Sequence, residues 1–142
     1  MTGGSQSARR VAQRAPRVRH NQVSGEVLDA AIEVHRLLGP GLLEKTYEAA
    51  LGHELSLRGL HVRRQISLPL RYKGLDVQDA YRLDLLVEDI VVVELKVVEK
   101  LLDVHKAQTL TYLKFGGFRL GMLLNFSQTR LIDGYQRIAH QL

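Results

Sequence analysis

Asp84, Glu94 and Lys96 interrupt two apolar runs in YRLDLLVEDIVVVELKVVEK, residues 81–100. An unpaired carboxylate buried in such a run costs several kcal/mol, a large share of a domain's net stability, so these positions need a compensating partner or a use. Side chains alternate faces along a strand, which puts Glu94 and Lys96 on one face and Val93, Leu95 and Val97 on the other. Asp84 joins the first pair across a hairpin. Two carboxylates beside a lysine suit a hard divalent cation such as Mg2+ or Mn2+, for which oxygen ligands and retained waters are preferred. A cation held there lowers the pKa of a bound water and neutralises charge on a phosphodiester, while the lysine ammonium can hold the attacking water. The same residues also read as an ion pair without chemistry, Lys96 with Glu94 or with Asp84.

The hairpin register decides whether the acids can share a site. A two-residue turn at Glu88-Asp89 pairs Val87 with Ile90 and Asp84 with Val93, leaving Glu94 on the wrong face. A three-residue connection pairing Val87 with Val91, or a bulge, sets Asp84 opposite Glu94. A shared cation site requires the second arrangement.

The surrounding elements follow from periodicity and punctuation. Val27, Ala30, Ala31, Val34, Leu37 and Leu38 recur at helical spacing after a Ser24 cap, and Gly39-Pro40-Gly41 ends that helix. Leu43, Tyr47, Ala50, Leu51 and Leu55 form the stripe of a second helix from Leu42 to Arg58, closed by Gly59. Strand character marks His61 to Leu68, Leu70 to Lys73, Tyr81 to Val87 and Ile90 to Val97, punctuated by Pro69, Gly74 and the Glu88-Asp89 turn. Asp103 caps a third helix reaching Phe115, Gly116-Gly117 stops it, and Leu120 to Phe126 is another strand. Leu131 to His140 fits either a strand or a short helix. His35 and His53 stand singly on helices and read as packed or surface residues. The GPG turn lacks the lysine spacing of a phosphate-binding loop.

Composition narrows the classes further. The 142 residues, 45% hydrophobic, suffice for one domain with a core and not for two. The absence of cysteine excludes disulfides and thiolate metal sites. No apolar run approaches the ~18 residues of a membrane span, and no hydrophobic signal core opens the chain, so a cytoplasmic protein is expected. The net charge of +5 is concentrated in residues 1–22, which hold Arg9, Arg10, Arg14, Arg17 and Arg19 and no acid, while the remaining 15 basic residues balance the 15 acids. That segment reads as a disordered basic arm. It contacts nucleic-acid phosphates or another anionic surface, serves as an idle tail, or is an organelle transit peptide.

Asp84 followed by Glu94-Leu95-Lys96 resembles the D...ExK core of the PD-(D/E)XK nuclease superfamily, with Leu83 in place of the namesake proline. GLLEKTY, residues 41–47, resembles the GxxExxY motif that names a family of small proteins assigned to that superfamily. The resemblance continues through RLDLLVEDIVVVELK, HKAQTLTYLK and GMLLNF and so covers roughly residues 24–127. It implies metal-binding carboxylates at Asp84 and Glu94, a catalytic lysine at Lys96, and an assisting helical acid at Glu44. It also implies a QxxxY pair at Gln108 and Tyr112 that supports substrate or lysine, residues one helical turn apart, with His105 on the same edge. The expected fold is an α/β (α+β) restriction-endonuclease-like domain, a central mixed β-sheet flanked by helices, over residues 23–142. The implied reaction is Mg2+-assisted (or Mn2+-assisted) hydrolysis of a nucleic-acid phosphodiester, DNA before RNA. A non-catalytic nucleic-acid- or protein-binding module on the same fold is the alternative, and a small-molecule phosphohydrolase is a third reading.

Overall fold

A buried stripe of Val23, Val27, Ala30, Ala31 and Val34 follows the 3.6-residue helical period on α1 (Thr2–Leu38). The computed structural model describes the backbone of residues 2–142 and the side chains from residue 17 onward. The helix start expected at Ser24 is corrected: α1 passes through Ser24, whose Oγ donates to the Asn21 carbonyl at 3.1 Å instead of capping a first turn. Tertiary contacts carry the helix further back than the apolar period alone suggests. His20 is buried, Arg17 donates to the Leu142 carbonyl at 3.1 Å, Arg19 pairs with Glu88 at 3.7 Å, and Arg137 donates to Asn21 Oδ1 at 2.6 Å. Residues 17–22 of the expected disordered arm lie in this helix, and Arg17, Arg19, His20 and Asn21 are engaged with the rest of the domain. The side chains of Arg9, Arg10 and Arg14 lie outside the described residues.

The Gly39-Pro40-Gly41 turn leads into α2 (Glu44–Leu57). The buried Tyr47 sets that turn: its hydroxyl donates to the Gly39 carbonyl at 2.5 Å and accepts the Leu42 N–H at 3.1 Å, while its ring stacks on Phe126 at 4.5 Å. Gly59, at φ +83°, closes the helix in the left-handed conformation that its sequence position demands.

Five strands follow as one sheet in the order β1-β2-β3-β4-β5. They are β1 (Val62–Tyr72), β2 (Leu75–Val87), β3 (Val91–Lys96), β4 (Leu120–Asn125) and β5 (Tyr135–Ala139). β3 and β4 are parallel, joined through α3 (Asp103–Gly116), and every other neighbouring pair is antiparallel. The sheet is mixed and the domain α+β, with α1 and α2 on one face and α3 on the other. Leu85, Val87, Val93, Leu95, Met122 and Leu124 pack with α1 and α2, whereas Leu83, Leu86 and Val92 pack with Leu113 of α3.

Several boundaries differ from the sequence expectation, each for a local reason. Pro69 does not end β1, because β1 is an edge strand with a register shift between Leu68 and Leu70. β2 begins at Leu75, ahead of Tyr81, and residues 75–80 are all exposed, which removes the alternation that marks a half-buried strand. Leu102, not Asp103, is the N-cap of α3. The ambiguous C-terminal segment resolves into a 3-10 turn at Leu131–Gly134 followed by β5.

The β2–β3 hairpin adopts the register that a shared acidic site requires. Val87 pairs with Val91, Leu86 with Val92 and Leu85 with Val93, so Glu88, Asp89 and Ile90 form a three-residue connection. Glu88 and Asp89 turn the chain at φ +53° and +58°, and Ile90 N–H donates to the Val87 carbonyl at 3.1 Å.

Tyr47→Phe keeps the stacked ring but leaves two backbone groups of the α1–α2 turn without their partner. Stability should fall by ~1–3 kcal/mol, measured as a lower urea midpoint at unchanged slope. An unmoved midpoint would mean that the hydroxyl does not hold the turn.

Candidate active site

The β2–β3 ladder changes its chemistry at Asp84. The paired residues end at Leu85 and Val93; one step on, Asp84 N–H donates to Glu94 Oε2 at 3.1 Å and Leu95 N–H donates to Asp84 Oδ2 at 2.9 Å. Side-chain carboxylates thus take the place of backbone carbonyls as acceptors, satisfying two ladder donors while drawing the acids onto each other. Glu94 is 4% exposed, and its Oε1 is buried with no hydrogen-bond partner. Burial, then the negative charge and carboxyl contact of Asp84, push Glu94 up to about 9, against the Asp84 N–H and the Lys96 charge. Like charges this close do not both ionise readily, so the metal-free pair holds a proton at neutral pH.

Lys96 lies one strand alternation beyond Glu94, and its Nζ donates to Gln108 Oε1 at 3.4 Å. Tyr112, one turn after Gln108 on α3, stacks on Tyr81 at 4.9 Å between ring centroids. Burial first, then the nearby Glu94 charge and, more weakly, Asp84, raise the Tyr112 phenol, opposed by its hydrogen bond with Gln108. Tyr112 therefore stays a donor at neutral pH. The Tyr81 hydroxyl beneath it is also raised, by burial and then by Tyr112, and is buried without a partner. His105 is used by the start of α3: its Nδ1 accepts the Leu102 N–H at 2.9 Å, an interaction of the capping-box kind.

Glu44 opens α2 and is exposed. Its carboxyl is raised by desolvation and then by Asp84, with Lys96 opposing and Glu48 adding to the rise. Glu44 is thus within electrostatic reach of both Asp84 and Lys96. Among the described residues, however, no three His, Asp or Glu side chains gather closely enough to form a metal-holding group. Sequence reasoning missed Glu48 and Gln65. Glu48, one turn after Glu44 on α2, is buried, accepts from Arg64 Nη2 at 3.0 Å, and accepts from Gln65 Nε2, which also reaches Asp84 Oδ1 at 3.5 Å. The available signal was the one-turn spacing of Glu44 and Glu48, which puts them on one helix face.

The donor set fits a hard cation. Asp84 and Glu94 supply facing carboxylates, and the orphaned Oε1 of Glu94 is a buried acceptor lacking a positive partner. With two carboxylates from the protein, water and substrate oxygens would complete the coordination sphere, the usual arrangement for Mg2+.

A family model described as the PD-(D/E)XK nuclease superfamily matches residues 21–138. The chain belongs to the PD-(D/E)XK nuclease superfamily. The superfamily match runs from α1 into β5 and includes the strands that carry Asp84, Glu94 and Lys96. Nuclease-type hydrolysis, generally with divalent metal ions, is the activity that goes with the PD-(D/E)XK superfamily. No curated protein and no solved structure matches the chain. No helix among the described residues is long and apolar enough to cross a membrane.

The buried acid makes metal-free stability depend on pH. Folded Glu94 keeps its proton to about pH 9, whereas an unfolded glutamate releases it near 4.5. Between those values the folded state binds more protons, so stability falls as pH rises, by at most ~1.4 kcal/mol per pH unit. Glu94→Gln, neutral throughout, should flatten this part of the profile. Urea unfolding in EDTA at several pH values tests it, and equal slopes in both proteins would contradict a protonated Glu94.

Proposed function

We propose that this chain is a metal-dependent nuclease that hydrolyses DNA phosphodiester bonds, with Asp84 and Glu94 as the cation-holding carboxylates. The observation that carries the reading is the facing carboxylate pair with one buried, unpaired oxygen, at the point where β2 and β3 part. A Mg2+ or Mn2+ ion, when bound, supplies charge neutralisation at the phosphodiester and a lowered pKa for water. Lys96 is the group we assign to hold and polarise the attacking water. Its contact with Gln108 limits the freedom of a long, flexible side chain, and its charge acts on Glu94 and Glu44 without a direct ion pair to either. Tyr112, stacked and protonated, offers a donor to a substrate phosphate oxygen on the same edge. Glu44 adds negative potential from α2 and acts on the site through water. Arg9, Arg10 and Arg14 are assigned to phosphate contact outside the catalytic step.

Asp84→Ala or Glu94→Ala should abolish Mg2+-dependent cleavage of linear and single-stranded DNA. Lys96→Ala should leave Mg2+ binding largely intact in calorimetry while lowering the rate ~100-fold or more. Glu44→Gln should have a smaller effect on affinity or rate. If the wild type neither binds Mg2+ nor cuts any substrate, and all three alanine variants unfold, the residues are a structural ion-pair cluster and the nuclease assignment fails.

The arginine assignment is read from salt dependence. Removing residues 2–16 should reduce the slope of log K against log salt by ~0.9 for each duplex phosphate that these arginines neutralise. An unaltered slope would show that they neutralise none.

A further inference from the structure

Gln65 holds a left-handed backbone conformation, φ +53°, inside β1. A side-chain-bearing residue adopts such a conformation only at a cost in strain. The position is a particular one. β1 and β2 pair on either side of it, Arg64 with Leu85 and Ile66 with Leu83, so Gln65 stands across from Asp84 in a gap in the ladder.

Its side chain bridges two acids. Nε2 donates to Glu48 Oε1 and reaches Asp84 Oδ1 at 3.5 Å. Ionised carboxylates only accept hydrogen bonds, so the amide NH2, with its two protons, is the end that must face them. Glu48 is a fixed anchor, buried on α2 and bound by Arg64 through Nη2 at 3.0 Å and Nε at 3.3 Å. Asp84 is thereby approached at both oxygens, Oδ2 by the Leu95 N–H and Oδ1 by Gln65. A neutral amide suits this task because it orients the carboxylate without changing the charge of the site. A lysine would neutralise Asp84 and compete with a cation, and a glutamate would add repulsion among Glu44, Glu48 and Asp84.

We propose that Gln65, anchored on Glu48, is a positioning residue that sets the orientation of the Asp84 carboxylate toward Glu94. The role rests on the assignment of Asp84 and Glu94 as cation-holding groups. The strained backbone is the cost of aiming the amide between two carboxylates, and the tie to α2 holds it there.

The test uses full-length protein with Mn2+ as the probe: calorimetric Mn2+ binding, thermal midpoint, and Mn2+-dependent cleavage for the wild type, Gln65→Gly and Gln65→Met. Glycine accepts φ +53° without strain, which offsets the lost hydrogen bond to Glu48, so Gln65→Gly should stay folded with a thermal midpoint near that of the wild type. Methionine keeps the length of the side chain and removes only its polar end. Both variants should bind Mn2+ about 10-fold more weakly or worse, with kcat lowered ~10–100-fold and KM little changed, as for other partners that orient a metal-binding side chain. Wild-type Mn2+ affinity and kcat in either folded variant overturns the role of Gln65. A wild type that binds no Mn2+ overturns the cation site itself, and the positioning role falls with it.

Discussion

Two carboxylates forced together at the parting of two strands set the terms for the rest of the molecule. Each acid accepts a backbone N–H from the other's strand, so a rotamer change that separated them would leave a ladder donor unsatisfied. Glu94 answers by keeping a proton, its affinity raised chiefly by burial and then by Asp84. A dication replacing that proton would relieve the repulsion and give the unpaired Oε1 a partner.

The core supplies the rigidity that the pair needs. Leu85, Val93 and Leu95 flank the acids along the chain and point into the layer built with α1 and α2, while Leu86 and Val92 point toward α3. Sequence neighbours of the carboxylates are thus anchored on both faces of the sheet. The two layers are unequal. α3 buries only Thr109 and Leu113, and it leaves Leu102, Val104, Leu110 and Phe115 exposed at or near its ends and outer side. The face that carries Lys96, Gln108 and Tyr112 is thinly covered, and Asp84 and Lys96 are partly exposed.

Charge around the acids is partitioned with the same economy. Arg64 is engaged by the buried Glu48, and Arg63 pairs with Asp89 at 3.1 Å, so these β1 arginines do not neutralise the carboxylate pair. Lys96 shares a face with Glu94 but hydrogen-bonds Gln108. The acidic pair is left short of positive charge, the electrostatic condition that favours binding a dication.

The amino-acid sequence by itself determined the elements whose patterns are local: the helical stripes of α1 and α2, except that Leu37, Leu38 and Leu43 at the turn between them are exposed, the Gly59 stop, the apolar strands β3 and β4, and the acids and lysine standing where apolar residues belong. It also determined that a shared site demands a three-residue hairpin connection or a bulge, because a one-residue slip sends Glu94 to the other face, and Val87 does pair with Val91. Only the tertiary structure decided the features that depend on distant partners. The run of α1 through Ser24 rests on contacts with Leu142, Glu88 and Arg137. The exposed start of β2 pairs with β1 alone and carries no alternation to read. Gln65 and Glu48 lie 17 positions apart and become neighbours of Asp84 only when α2, β1 and β2 converge. Local pattern reports what one element prefers. A long-range hydrogen bond and a strained φ are properties of several elements packed together, and no window of sequence contains them.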